Sequence, residues 1–88
     1  MKTVLISYDL CKPYRDYAGL IDAIKGYGTW GKLTESAWLI RSSDGCVAVR
    51  DRLKSHMDSN DRLFVGTMQG EGAWSHVLCD SSWLKQTL

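Results

Sequence analysis

Apolar positions along the chain follow two rhythms. Val4, Leu5 and Ile6 are consecutive inside Lys2 to Asp9, without polar alternation, as in a central strand buried on both faces. Tyr17, Leu20, Ile21 and Ile24 then fall at i, i+3, i+4 and i+7, the stripe of a surface helix, with Asp16 as its cap and Gly26 and Gly28 as its stop. Thr29 to Thr34 predicts a short strand and turn, and Glu35 to Arg41 a strand carrying Ala37, Trp38, Leu39 and Ile40. Ser42, Ser43 and Asp44 offer caps for a second helix, whose face is Cys46, Val49, Leu53 and Met57. Asp58 to Asp61 reads as a turn and Arg62 to Met68 as a further strand. Gly70 and Gly72 end it. Ala73 to Cys79 predicts either a short strand or a helical turn, and in Ser82 to Leu88 only Trp83, Leu84 and Leu88 are able to pack.

Strand, helix, paired strands, helix, strand and a C-terminal extension predict an α+β fold. The economical arrangement is ferredoxin-like βαββαβ, an antiparallel sheet with two helices on one face, in a single domain over residues 1–88. Such a sheet has a second face that needs water-tolerant residues, a partner or the extension to cover it. Large side chains pointing to both sides of the Trp38 strand favour a covered face. A homodimer would cover it, with Trp38, Trp74 and Trp83 at the interface.

Composition narrows the function only by exclusion. Hydrophobic residues are 44% of the chain, enough for a core and against disorder. A net charge of +1 with no basic run gives duplex binding no electrostatic help, although a dimer could concentrate charge on one face. Cys11, Cys46 and Cys79 are widely spaced, without a Cys/His cluster, and read as reduced thiols rather than zinc ligands. No apolar run approaches the ~20 residues that cross a bilayer, and the N-terminal stretch lacks the pattern of a leader. The expectation is a cytoplasmic protein without a membrane partner. "MQGEGAW" has neither a P-loop lysine nor dinucleotide-binding glycine spacing. His56, His76 and a Cys11 thiol beside Lys12 are weighed as catalytic groups and read first as ordinary surface residues.

The sharpest chemical candidate is Asp9. Magnesium takes oxygen ligands and keeps several waters, so one or two carboxylates and a substrate phosphate can hold it. In a symmetric dimer the two Asp9 carboxylates could share one ion, which would polarise a phosphodiester and activate a water. Equally, Asp9 ends a strand and can bond to loop backbone. Lys12 and Arg15, in the same loop, suit phosphate.

"VLISYDL", "YGTWGKLTESAWLI" and "SNDRLFVGTM" together resemble the Cas-two-like, VapD and SinR-like superfamily of small proteins. The first is similar to that family's strand ending in Tyr-Asp. The second is similar to its Gln/Glu-Ser-aromatic region, here Glu35, Ser36, Ala37 and Trp38. The third is similar to its aspartate-led strand. The resemblance spans roughly residues 2 to 68. It implies a ferredoxin-like protomer and a homodimer, in many members with a C-terminal strand against the partner's sheet. It also implies association with RNA or DNA, in some members as a magnesium-dependent nuclease with Asp9 as metal ligand. The loop "LCKPYRDY" separates Lys12 from Arg15, where the family commonly has adjacent basic residues. The other expectation, from near-neutral charge and abundant Trp and Tyr, is a non-catalytic adaptor or inhibitor bound to a protein complex, as encoded by phages and mobile elements.

Overall fold

The computed structural model describes residues 1–12 and 16–88. Strand β1 (Lys2–Asp9) is central, pairing antiparallel with β3 (Ala37–Ser42) on one side and β4 (Arg62–Thr67) on the other. Strand β2 (Trp30–Thr34) adds antiparallel to β3, giving the order β2-β3-β1-β4. Helix α1 (Ala18–Lys25) follows β1, α2 (Cys46–Lys54) follows β3, and α3 (Ser81–Thr87) ends the element order. The protein is a small α+β fold with a four-stranded antiparallel sheet and, among the described residues, three helices, compatible with a ferredoxin-like arrangement.

Strand period assigns the two faces. Val4, Ile6 and Tyr8 of β1 point to one side, with their cross-strand neighbours Ile40 and Trp38 of β3. They pack against Leu20, Ala23 and Ile24 of α1 and Val49 and Leu53 of α2 in the main core. Each helical stripe therefore buries two of its residues, Leu20 and Ile24 or Val49 and Leu53. Tyr17, Ile21, Cys46 and Met57 are partly buried, and Tyr17 and Met57 lie just outside the helices. Trp38, expected at a dimer interface, is only 2% exposed and lies in this core, where its indole N–H donates to the Tyr8 hydroxyl at 2.9 Å. A buried indole needs that acceptor.

The opposite face carries Leu5 and its neighbour Leu39, and it is covered by residues that follow β4 in the same chain. Trp83 of α3 packs against Gly31, so closely that a Cβ at Gly31 would overlap the ring. Leu84 is buried, and the Thr3 hydroxyl donates to the Thr87 carbonyl. Residues 73–79 form neither strand nor helix, although the Leu78 N–H donates to the Leu33 carbonyl at 3.0 Å. A pocket of about 310 Å³ remains beneath this segment, lined by Leu5, Leu39, Trp74, Val77, Leu84 and Leu88. The bare-face reason for a homodimer is thereby removed, because the protomer covers that face itself. Trp83 belongs to this cover. Trp74 lies on its outside, half-exposed, donating to the Ser81 hydroxyl at 3.3 Å.

Capping differs from expectation. The Ser42 hydroxyl accepts from the Asp44 N–H, organising the turn, while Gly45 occupies the N-cap of α2 without a side-chain bond. Asp80 caps α3, accepting from the Trp83 N–H at 3.1 Å. At α1 the N-cap is Tyr17, without a side-chain cap bond, and Asp16, the expected cap, stands one residue earlier and accepts from the Ala18 N–H.

Gly31→Ala is expected to destabilise the fold by about 1–3 kcal/mol, since overpacking must displace the Trp83 ring. Urea unfolding of the single variants and the Gly31→Ala/Trp83→Ala pair checks this. The alanine at 31 should cost markedly less once the ring is gone, and additive effects would mean the contact does not hold α3 in place.

Candidate functional site

Asp9 is the last residue of β1 and lies directly opposite Arg62, the first of β4. Cross-strand neighbours sit close enough for their side chains to pair. The Arg62 guanidinium donates to Asp9 Oδ2 at 2.7 Å. Both side chains are well exposed, 83% for Arg62 and 66% for Asp9, so the pair adds little stability. Its consequence is chemical: the carboxylate already has a cation. Lys12 is exposed in the following loop, and Arg15 lies outside the described residues.

The carboxylate that organises this end of the molecule is Asp61, read in sequence as part of a turn and as the aspartate that leads the following strand, without a role of its own. Its Oδ1 accepts from the Cys11 N–H at 2.8 Å, and the Tyr17 hydroxyl donates to both oxygens, at 3.1 and 2.9 Å. Oδ2 also accepts from the Asp58 N–H at 2.8 Å. One side chain therefore ties the loop after β1, the start of α1 and the turn before β4. Partial burial works against its charge. The backbone donors from Cys11 and Asp58, helped by the Cys11 thiol and the Tyr17 hydroxyl, outweigh that and lower its pKa to about 2. The same bond to Asp61, with burial and the nearby acidic charge, pushes the Cys11 thiol up despite Lys12. Cys11 is therefore a poor nucleophile.

Cys11, Asp58 and Asp61 form the one grouping among the described residues with metal-ligating atoms close together, and it includes neither Asp9 nor a histidine. Its donors explain its geometry without an ion. Asp9 in one protomer offers magnesium a single carboxylate, held by Arg62, so the residues present do not fit a magnesium centre. His56 is exposed against Gly19, and His76 is exposed in left-handed backbone at φ 56°.

A second surface was not legible in sequence. Trp30, on the outer strand β2, is 38% exposed and tilts onto Trp38 with ring centroids 5.6 Å apart. The Lys25 ammonium stands 4.9 Å from the centroid of Trp30, and that of Lys32 stands 5.5 Å from the centroid of Trp38. Arg52 of α2 lies 4.8 Å over Tyr27, whose buried hydroxyl has no hydrogen-bond partner among the described residues. Cation–aromatic pairs of this kind occur about once per 70–80 residues. These three join residues of α1, the α1–β2 connection, β2, β3 and α2, which brings cations and aromatic faces into one region.

No family model matches the chain and no solved structure matches it.

Because Asp61 ionises about two units below its ordinary 3.8, the folded state keeps its charge where the unfolded chain takes up a proton. Its stabilising contribution is complete above pH 3.8 and is lost as pH falls towards 2. Urea midpoints of the native protein and Asp61→Asn, compared from pH 5 downwards, should converge across that window. A constant gap would show that Asp61 does not couple protonation to folding.

Proposed function

We propose that the chain is a Cas-two-like, ferredoxin-like, homodimeric protein that associates with nucleic acid and acts by binding. The observation that carries this reading is the half-exposed Trp30 with the Lys25 ammonium over its ring, beside Trp38 with Lys32 over it. Aromatic faces with adjacent cations suit single strands, whose bases stack without sequence preference while ammonium groups meet phosphate. The Lys25 ammonium now over the ring would give way to a base and turn to the adjoining phosphate. Lys12 and Arg62 add exposed cations at the β1 end. The net charge of +1 sets the expected regime: modest affinity, weakened by salt.

The magnesium-dependent endonuclease is the catalytic form of the same reading. It requires Asp9 to leave Arg62 and a second ligand to come from a partner or substrate. A different class, the protein-binding adaptor or inhibitor, is favoured by Phe64 and Leu78, both more than half exposed. Recovery of one stoichiometric protein partner, with no salt-dependent oligonucleotide binding, would decide for it.

Fluorescence anisotropy with labelled single-stranded RNA and DNA tests the main reading. Trp30→Ala is expected to weaken binding by about 1–3 kcal/mol, roughly 5- to 150-fold. Lys25→Ala should flatten the salt dependence by about 0.7 in log–log slope. Absence of binding at low salt ends the nucleic-acid reading, and binding indifferent to Trp30→Ala moves it to another surface. In a magnesium cleavage assay, no product is expected from the native protein. Cleavage abolished by Asp9→Ala would instead establish the catalytic form.

A further inference from the structure

The two edges of the sheet are built differently. The β2 edge is interrupted by a bulge between Lys32 and Thr34, carries a lysine, and has Trp83 lying on Gly31. Bulges, lysines and covering elements are how proteins keep an edge strand from pairing. The β4 edge has none of these. It keeps an unbroken register with β1 over Arg62–Thr67, has no proline or lysine, and bears Phe64 at 61% exposure. The Phe64 ring lies along the strand, 2.8 Å from where a Cβ of Gly66 would be, so it forms a low apolar surface on the edge.

Helix α2 flanks the same edge. Arg50 and Lys54 line a shared hollow with Leu63 of β4. Val47, Arg50, Asp51 and Lys54 are spaced i, i+3, i+4 and i+7, and all are exposed. Arg50 and Asp51 already pair at 3.0 Å within the protomer. Strand β4 rises about 3.3 Å per residue and α2 about 1.5 Å per residue in the opposite direction. Leu63 shares that hollow with Arg50, Lys54 and Met57, so β4 runs alongside the stretch of α2 that carries Arg50 and Asp51.

We propose that the β4 edge and the outer face of α2 form a two-fold interface with a second copy of this chain, joining two sheets into one of eight strands. An axis through Phe64 sets that ring against its own copy and Leu63 opposite the partner's Val65, preserving the face of every side chain. The same axis brings Arg50 opposite the partner's Asp51 and Asp51 opposite the partner's Arg50, a self-complementary charge pair. The two α2 helices then lie antiparallel at about 8–10 Å, ordinary helix packing distance. This deepens the dimer named in the proposed function and leaves the nucleic-acid surface to its own test.

Sedimentation equilibrium over about 1–100 µM protein tests the interface. The native chain should dimerise, and Phe64→Glu should weaken dimerisation at least tenfold with an unchanged circular dichroism spectrum, since the ring is exposed. Asp51→Arg should weaken it and the double reversal Arg50→Asp/Asp51→Arg should restore it, because the swap recreates the pair both within and between copies. A native chain that stays monomeric overturns the proposal. So does a dimer indifferent to Phe64→Glu, which would keep the homodimer and discard this surface. Oligonucleotide binding by a monomer would leave the nucleic-acid reading intact, and a dimer that binds none would leave the interface intact.

Discussion

The structure depends on hiding the second face of its sheet. Helices α1 and α2 bury one side, which leaves Leu5 and Leu39 pointing the other way. A four-stranded sheet with that face in water would be marginal in a chain of 88 residues, where the core is small relative to the surface. The chain after β4 resolves this by folding back. Its anchors are few: Trp83 on Gly31, Leu84 buried, and single hydrogen bonds from Thr3 and Leu78. Gly31 is the geometric condition for the closure, because any side chain there occupies the place of the indole.

Closing that face determines where recognition can occur. With both broad faces of the sheet occupied, Trp74 is exposed on the outside of the cover, and two further exposed aromatic groups lie at the margins: Trp30 on β2 beside Lys25, and Phe64 on β4 beside a mixed-charge helix. The carboxylates at the β1 end already have partners, and that of Asp61 holds the fold. Asp61 accepts from three different segments and Asp9 from Arg62. A carboxylate that ligates magnesium must exchange such partners for the ion. Asp61 could do so only by releasing the start of α1, which makes it a structural acid rather than a catalytic one.

Local pattern was enough for the strands and the first two helices because each carries a period that burial enforces. Leu20 and Ile24, or Val49 and Leu53, could face nothing but the sheet. Alternation around Trp38 correctly required large side chains on both sides. It could not say that this ring faces the helices, since that choice depends on its opposition to Ile6 across β1. The tail was harder. Residues 73–79 have no period, and α3 contributes only a short apolar pair, so its existence rests on the Asp80 cap and on a glycine some fifty residues earlier. Asp9 and Arg62 are likewise 53 positions apart, and only strand register makes them partners. Turn composition and its place at the head of a strand said nothing of what Asp61 does, because its role comes from donors that converge on it from distant segments.

The two margins also act together. If β4 lies at a two-fold axis, strand order places β2 at both ends of the joined sheet. At about 4.8 Å per strand the two Trp30 surfaces then stand roughly 34 Å apart, somewhat less along the twisted sheet. A single strand of nucleic acid long enough to span that width would engage both surfaces, and the second contact would form at the high effective concentration set by the first. Modest affinity at each Trp30, which is all that two lysines and a near-neutral chain provide, would then still give firm binding to long strands and weak binding to short ones. Dimer and ligand surfaces on opposite edges are thus physically coherent, since a weak site gains most from being presented twice.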